Sequence, residues 1–445
     1  MKKKSSITGS SKFIFGGNIV TKKIYDFFLI VCVESANWIV LKNEHQKNIL
    51  MKMVDGASIG EIYSSFKSEE DLNDLKTVLA AITARKFAAT DAAPQIFDLF
   101  SYEKMNVYLT NACNLRCSHC FMHAGKQLEN ELSLEEWEQV LQDFKKLGGK
   151  NVTFSGGEPL LNKNFDEIIG FTHEIGLTVT VLTNGTLWTK ERVERLSKFI
   201  DEVQISIDGV DESSNAIIRG KGFFEKITNT VIEFSKQNVR TSVATTFTFE
   251  NLYDDTPEKY KEMIMRINEA CSNKIFFKLS KKILRGRNVN YSDEENLHFY
   301  NKIIEIENGI DINAKFKNFI EGHIPNVRER NCGFGGVSIN SNGDVYYCNR
   351  INEVECYGNI RSKRLDHFFA IGKNLNEKTS VDNLEPCKTC YLRYICCGGC
   401  RIDDCNFHGL VKKENKSFTQ TKCTELTRNK FEKKLIDCFN FFYHI

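Results

Sequence analysis

The sequence lacks any long apolar stretch. Its longest uninterrupted apolar run, residues 27–33, has seven members, whereas a helix needs about 20 apolar residues to cross a bilayer. The basic start at residues 1–4 is typical of a signal peptide, but no apolar segment follows it between residues 5 and 17. We therefore expect neither membrane association nor export, and we predict a cytoplasmic protein.

The chain also lacks an excess of one charge. Lys and Arg number 60 and Asp and Glu number 58, which leaves a formal net charge of +2. Because nucleic-acid binders usually carry a basic surplus, the composition predicts no nucleic-acid partner. Hydrophobic residues at 41% and charged residues at 27% exclude a collagen-like, low-complexity or disordered chain. At roughly 150 residues per domain, a chain of 445 residues should hold two to four units.

Cysteine, by contrast, is abundant, with 16 copies. The cytosol keeps thiols reduced, so cysteine clusters there usually hold metal. Three cysteines lie at positions 113, 117 and 120, ten fall between positions 332 and 423, and only Cys32, Cys271 and Cys438 stand apart. This placement predicts metal ligation rather than scattered structural thiols.

Residues 13–88 are predicted to form a small module of strands followed by helices. Residues 26–33 and 37–41 are rich in β-forming side chains. Three helices follow, the first two capped by Asn43 and Ser58 and the third over residues 70–85. This order resembles a winged helix. A DNA-binding domain or a packing module is the alternative, although no helix carries the basic stripe that DNA contact requires.

From about residue 105 the pattern alternates strand and helix. Strands are predicted over residues 106–110, 151–155, 178–182, 202–207, 241–247 and 274–279, with helices starting near residues 133, 163, 189, 222 and 257. Six such units indicate an α/β fold whose parallel strands curl into a partial (β/α)6 TIM barrel. Functional residues are expected at the carboxyl ends of these strands.

We predict that this barrel occupies residues 100–280 and that residues 281–330 bridge it to a loop-rich segment. In that segment, residues 331–430, regular periodicity fades while Cys and Gly accumulate. A segment with little apolar content needs another source of cohesion, which metal ligation supplies. Residues 431–445 are expected to form a closing helix.

The loop after the first barrel strand carries Cys113-x3-Cys117-x2-Cys120, with His119 before the third cysteine. Three thiolates on one loop can bind three irons of a [4Fe-4S] cube and leave the fourth iron open. The pattern resembles the signature of the radical S-adenosylmethionine (radical SAM) superfamily. The resemblance implies that the open iron chelates SAM and that reductive cleavage gives a 5′-deoxyadenosyl radical. A zinc knuckle completed by His119 or His123 is the alternative.

Other parts of the family pattern recur after later strands. In the family, the GGE motif presents its backbone to the SAM amino group, later strand ends contact the ribose and methionine, and an arginine pairs with the SAM carboxylate. The resemblance therefore implies a cofactor-binding set made of Gly156, Gly157, Glu158, Asn184, Ser206, Asp208 and Arg219. A turn asparagine and a surface arginine are the alternative interpretations of Asn184 and Arg219.

The second cysteine array resembles the SPASM extension of radical SAM enzymes, which houses two auxiliary [4Fe-4S] clusters. The family pattern assigns the nearer cluster to Cys332, Cys348 and Cys400. It assigns the distal cluster to Cys387, Cys390, Cys396 and Cys423. Cys356 is then the fourth ligand of the nearer cluster, or that iron is open to a substrate thiolate; Cys397 could replace Cys396, and Cys405 is expected to be a free thiol. Two zinc ribbons are the alternative.

SPASM extensions occur in enzymes that modify peptides or proteins, and the N-terminal module resembles the leader-recognition element of such enzymes. The resemblance implies a maturase that docks the leader of a precursor peptide on a sheet edge. It also implies three [4Fe-4S] clusters, SAM, and a flavodoxin or ferredoxin as electron donor. The favoured product is a thioether from a cysteine sulfur to a carbon. Alternatives are carbon-carbon crosslinking, epimerisation, formylglycine formation, and a zinc-dependent transcription regulator.

Overall fold

The computed structural model describes residues 7–99, 102–272, 275–406 and 418–443. Its α-helices, in chain order, are α1 Glu44–Val54, α2 Ile59–Ser64, α3 Glu69–Ala84, α4 Leu134–Lys146, α5 Phe165–Glu174, α6 Lys190–Leu196, α7 Glu212–Arg219, α8 Phe224–Ser235, α9 Thr256–Ala270, α10 Asp293–Gly322, α11 Leu365–Lys378, α12 Arg393–Cys396 and α13 Glu425–Tyr443.

The strands, again in chain order, are β1 Ile14–Phe15, β2 Ile19–Ile24, β3 Phe27–Cys32, β4 Asn37–Leu41, β5 Ala88–Ala89, β6 Phe97–Asp98, β7 Lys104–Tyr108, β8 Asn151–Ser155, β9 Thr178–Thr183, β10 Glu202–Ser206, β11 Arg240–Thr245, β12 Phe276–Leu279, β13 Val327–Arg328, β14 Ser338–Ile339, β15 Val345–Tyr346, β16 Leu384–Glu385 and β17 Phe418–Thr419. No helix in these described ranges is long and apolar enough to cross a membrane.

The chain divides into two compact units. The first contains residues 1–100, 313–334 and 376–445, and the second contains residues 101–312 and 335–375. The domain boundaries expected from the sequence stay predictions.

In the first unit, β2, β3 and β4 form an antiparallel sheet in that order. All five side chains of β4 are buried although they alternate between the two faces of the sheet, so both faces are covered. Helix α3 contacts β4, and helix α13 contacts β3 and β4. Trp38 also donates its indole N–H to the backbone oxygen of Leu435, 3.3 Å away. The N-terminal sheet therefore shares its core with the last helix of the unit.

In the second unit, six parallel strands follow the order β12-β11-β10-β9-β8-β7. This arrangement confirms the predicted α/β fold with its parallel sheet. Buried Val, Ile and Phe alternate along the strands, as at Val152 and Phe154 of β8, because one side of each strand faces the core. Beyond β7 the sheet continues with β14, parallel to β7, and with β15, antiparallel to β14.

Several local expectations differ from the structure in their bounds. The predicted strand at 274–279 begins at Phe276, and its residue 274 lies outside the described residues. The closing helix begins at Glu425 rather than near residue 431. The bridging region contains the 30-residue helix α10, and the cysteine-rich segment contains the 14-residue helix α11; the sequence analysis predicted neither.

Candidate active site

The three-cysteine loop begins directly after β7, at its carboxyl end. It closes on itself because Cys113 N–H donates to the oxygen of Gly125 at 3.1 Å and Gly125 N–H donates to the oxygen of Asn111 at 2.8 Å. Cys117 is 9% exposed and packs with Leu115 and Ile218, and the other two cysteines pack against this group. The structure thus brings the three predicted ligands onto one semi-buried loop.

Burial governs the ionisation of these thiols. It raises the pKa of Cys113 and raises that of Cys117 to about 11, while the nearby charge of Arg219 opposes both shifts. Without a metal, neutral thiols are therefore favoured at pH 7. A metal that binds here must displace their protons.

The residues after β8 approach the cysteine loop closely. Gly157 N–H donates to the oxygen of Thr110, and Glu158 N–H donates to that of Ala112, both at 2.8 Å. A Cβ on Gly157 would lie 2.2 Å from the Ala112 oxygen, so this position requires glycine. Gly156 has φ +139° and equally little room, since a Cβ there would lie 2.4 Å from the Thr110 oxygen. The two glycines hold the ends of β7 and β8 together.

Glu158 is a fully buried carboxylate at the centre of the strand ends. It accepts hydrogen bonds from the Thr183 hydroxyl and from Asn184 N–H, both at 2.7 Å. Burial raises the pKa of Glu158 to about 7, and these hydrogen bonds limit the rise. The side chain therefore links the end of β8 to the end of β9.

Asn184 extends this network to the cysteine loop. Its side-chain N–H donates to the oxygen of the Asn114 side chain at 2.9 Å and lies 4.0 Å from the Cys113 sulfur. Its own side-chain oxygen accepts from Thr186 N–H and from the Thr186 hydroxyl. Asn184 thus fixes the loop that follows β9 against the loop that follows β7. Ser206 is the last residue of β10 and half-buried.

Asp208 follows β10 and pairs with an arginine and a histidine. Its Oδ2 lies 2.7 Å from Arg219 Nη2 and 2.7 Å from His119 Nε2, and its Oδ1 accepts from Thr246 N–H at 2.8 Å. Burial alone would raise the pKa of Asp208, but Arg219 and His119 outweigh it and lower the pKa to about 2. Both carboxylate oxygens are used on protein groups, so Asp208 is placed to orient His119 and Arg219.

Sequence reasoning noted His119 only as the aromatic position of the motif or as a zinc ligand. The structure gives it a further partner, Asp208, 89 residues along the chain. Thr246 was missed altogether. The sequence held one signal for the His119 contact. The ring of His119 stands next to Cys120, a proposed metal ligand, and Asp208 follows the nearby strand β10.

Two buried polar atoms at this site have no hydrogen-bond partner among the described residues, namely Arg219 Nε and Asn215 Nδ2. Burying an unpaired donor costs about 1 to 3 kcal/mol. Donors in this state suit a polar ligand that supplies the missing acceptor, such as a carboxylate. The donor set therefore fits an anionic group at this end of the sheet.

No three His, Cys, Asp or Glu side chains within the described ranges converge on a single metal-ion position. A [4Fe-4S] cube does not require such convergence, because each thiolate binds a different iron. The three-cysteine loop fits that requirement, with its thiols on one short segment.

The auxiliary cysteines divide between the two units. Cys387, Cys390, Cys396 and Cys423 all belong to the first unit, where burial and the negative charges of the other three raise the pKa of Cys387 to about 12. Cys332 and Cys400 also belong to this unit. Cys348 and Cys356 belong to the second unit, and the exposed Cys356 thiol donates to the oxygen of Gly358 at 3.4 Å.

The family model of the radical SAM superfamily matches residues 107–264, the segment that holds the cysteine loop and the strand ends around it. Residues 107–264 form a radical SAM domain. Domains of this superfamily use a [4Fe-4S] cluster with SAM. The match covers most of the parallel sheet but not β12, and it leaves the N-terminal module and the cysteine-rich segment at residues 331–430 outside it.

Two curated relatives from Bacillus subtilis (strain 168) are peptide maturation proteins by name. The sporulation killing factor maturation protein SkfB is 35% identical over 182 residues, which cover 40% of this chain and 42% of SkfB. The antilisterial bacteriocin subtilosin biosynthesis protein AlbA is 25% identical over 329 residues, which cover 71% of each chain. The chain thus spans less than half the length of SkfB.

Solved structures share the fold. The radical SAM domain and its surroundings resemble anSMEcpe with bound AdoMet, with a TM-score of 0.53, 19% identity, and coverage of 76% of this chain and 98% of that chain. SuiB from Streptococcus suis bound to S-adenosylmethionine gives a TM-score of 0.51 at 17% identity, covering 92% of this chain and 97% of SuiB.

Proposed function

We propose that the chain is a radical SAM enzyme that matures a ribosomally synthesised precursor peptide by forming a thioether from a cysteine sulfur to a carbon of another residue. One observation carries the enzymatic part of the proposal. The three-cysteine loop lies at the carboxyl end of β7, the buried Glu158 and Asp208 follow the ends of β8 and β10, and Arg219 at the end of α7 pairs with Asp208. Barrel enzymes keep their reacting groups at this edge.

In this proposal Cys113, Cys117 and Cys120 hold a [4Fe-4S] cluster that, with SAM bound, supplies a 5′-deoxyadenosyl radical. The chain's other residues hold the site in shape. Gly156 and Gly157 permit the close backbone approach, and the unpartnered Arg219 Nε suits the SAM carboxylate, because a guanidinium binds carboxylates as a fork.

The peptide substrate is supported by the relatives. SkfB and AlbA carry names of peptide maturation and bacteriocin biosynthesis. SuiB has also been solved bound to its precursor peptide SuiA, a structure with a TM-score of 0.51 and 15% identity that covers 94% of this chain. We infer that a precursor peptide is the partner of this chain, with two auxiliary clusters and a flavodoxin or ferredoxin completing the electron path.

The leader of that peptide is proposed to dock on the N-terminal module. Its sheet ends on both sides without a further strand among the described residues. Strand addition to such an edge gives affinity through main-chain hydrogen bonds. At β4, Trp38 N–H already donates to the Asn37 side chain and Lys42 N–H to the Gln46 side chain, both at 2.9 Å. At β2, Thr21 and Lys23 are exposed.

The experiment uses anaerobically reconstituted protein and a cysteine-containing precursor peptide encoded beside it. The triple change Cys113→Ala, Cys117→Ala, Cys120→Ala should remove about four of about twelve irons per chain, as one of three cubes is lost. It should also abolish the formation of 5′-deoxyadenosine. The control is Cys271→Ala, which removes a cysteine outside both arrays and should change neither quantity. Retained SAM cleavage in the triple variant would contradict the enzymatic proposal.

The same assay identifies the product. A thioether makes the peptide two mass units lighter, because one hydrogen leaves the sulfur and one leaves the carbon, and the linked cysteine no longer alkylates. A mass loss of two with every cysteine still alkylating indicates a carbon-carbon bond. An unchanged mass with deuterium uptake from solvent indicates epimerisation, and either result would overturn the thioether.

A further inference from the structure

The segment that follows β12 packs on the three-cysteine loop. Asn288 N–H donates to the oxygen of Ser118 at 2.8 Å, and Gly286 N–H donates to the oxygen of Val289 at 2.8 Å. A Cβ on Gly286 would lie 2.5 Å from the carbonyl carbon of His119, so this position requires glycine. All of these residues belong to the second unit. The segment after the last of the six parallel strands therefore contacts the loop after the first.

Arg287 joins two points of that loop. Its Nη1 donates to the backbone oxygen of Cys117 at 3.3 Å, and its Nη2 donates to the backbone oxygen of Ala124. A planar guanidinium presents its donors in a fixed geometry, so one side chain can hold both oxygens at a set separation. Ala124 precedes Gly125, whose hydrogen bonds close the loop. Arg287 therefore fixes the backbone on both sides of Cys120.

The charge of Arg287 lies beside the proposed cluster position. The guanidinium contacts the carbonyl of Cys117, the same residue whose sulfur would bind iron. Arg116 also donates to oxygens of this loop, but it is exposed, whereas Arg287 is half-buried and less screened by water. Among the described residues, no carboxylate lies within ion-pair distance of Arg287. A positive charge at this place favours the reduced cluster, because reduction adds one negative charge.

We propose that Arg287 is a positioning residue of the radical SAM cluster: it holds the backbone of the three-cysteine loop, and its charge raises the cluster's reduction potential. The inference rests on the proposed function, since it takes Cys113, Cys117 and Cys120 to hold that cluster. Arg287 acts through the loop and touches neither iron nor SAM. A higher potential makes the transfer of one electron from the external donor to the cluster more favourable.

The test compares three variants of the full chain after anaerobic reconstitution. Arg287→Met removes the charge and both hydrogen bonds, and Arg287→Lys keeps the charge. Arg285→Met is the matched control, because Arg285 is exposed and belongs to the same segment. A redox titration followed by electron paramagnetic resonance measures the potential, and the signal that changes on addition of SAM identifies the cluster. Arg287→Met should keep its iron and shift the potential to a more negative value, Arg287→Lys should restore most of that shift, and Arg285→Met should cause a smaller shift than Arg287→Met.

An unchanged potential in Arg287→Met would overturn the inference. An equal shift in Arg285→Met, or a shift that Arg287→Lys does not reduce, would overturn it as well. If Arg287→Met does not fold or loses iron, Arg287→Gln takes its place with the same expected shift, because glutamine is neutral but can still donate a hydrogen bond. An unaltered protein without a SAM-responsive cluster would instead defeat the proposed function, whatever the effect of Arg287.

Discussion

At the scale of single residues, the two buried carboxyl groups of the candidate active site, Asp208 and Glu158, have different partners. Both carboxylate oxygens of Asp208 contact protein groups, namely His119, Arg219 and the Thr246 backbone N–H. Asp208 therefore orients the His119 and Arg219 side chains toward the proposed cofactor site. Among the residues that the structure describes, Glu158 has no cationic partner within hydrogen-bond distance, and it accepts hydrogen bonds from Thr183 and Asn184. The two carboxylates consequently have pKa values shifted in opposite directions, to about 2 and about 7.

The raised pKa of Glu158 predicts a pH-dependent stability. An unfolded glutamate titrates near pH 4.3, whereas burial raises the folded pKa to about 7. The folded state thus holds the proton more tightly, so the free energy of unfolding should fall by about 3 to 4 kcal/mol as pH rises from about 4.3 to about 7. Glu158→Gln, which cannot ionise, should lose this part of the dependence.

Guanidinium titrations of both proteins at pH 5 and pH 8 measure this difference. The variant should gain stability relative to the unaltered protein at pH 8 and lose that advantage at pH 5. An identical pH dependence in the two proteins would show that Glu158 is ionised throughout, and the proposed burial effect would be rejected.

The proposed metal ligands could be chosen from the sequence alone, because the chemistry of a thiolate loop depends on residue type and short spacing. Cys113, Cys117 and Cys120 could be selected without a fold. Their supporting contacts could not, since the partners of His119 and Asn184 come from loops that only the folded sheet brings together.

At the scale of elements, the barrel strands were predictable because buried Val and Ile alternate along them. Strand β2 was missed, since its sequence mixes two lysines with apolar residues at a sheet edge. Helix α11 was missed because it contains Gly372, a residue that weakens helices. The structure explains that glycine: a Cβ at Gly372 would lie 2.4 Å from the oxygen of Gly335.

This close contact predicts opposite effects for two glycine substitutions in helices. Gly372→Ala should lower the free energy of unfolding by about 1 to 3 kcal/mol, because overpacking outweighs the gain in helix propensity. Gly170→Ala in α5 is the matched control. Among the described residues, apart from its chain neighbours and the backbone of its own helix, no atom lies within 4 Å of the added Cβ. This variant should therefore raise stability by up to about 1 kcal/mol. Thermal unfolding of both variants checks this, and a stabilised Gly372→Ala would refute the packing argument.

At the scale of the whole molecule, recognition and chemistry are proposed for different units. The leader would dock on residues 13–88 of the first unit, and hydrogen abstraction would occur in the second unit's radical SAM domain. Deleting the N-terminal module is a poor test of leader binding. Its residues Trp38 and Lys22 contact Leu435 and Glu432 of the last helix, which belongs to the same unit. Removal would expose the core beneath them.

Hydrogen-deuterium exchange on the full chain avoids that damage. If the leader adds a strand, precursor peptide should slow exchange at the backbone amides of β2 or of β4, because new acceptors bind them. A precursor with a scrambled leader is the control and should leave exchange unchanged. Binding of the native precursor without protection at either edge would contradict docking by strand addition.

The hydrogen bond between Trp38 and Leu435 joins residues 397 positions apart, and it bears on the order in which the chain is made. A ribosome adds about 5 to 20 residues per second, so Trp38 emerges roughly 20 to 80 seconds before the helix that covers it. During that interval one apolar face of the N-terminal sheet has no cover. The core of the N-terminal module is therefore completed only after α13 has been synthesised.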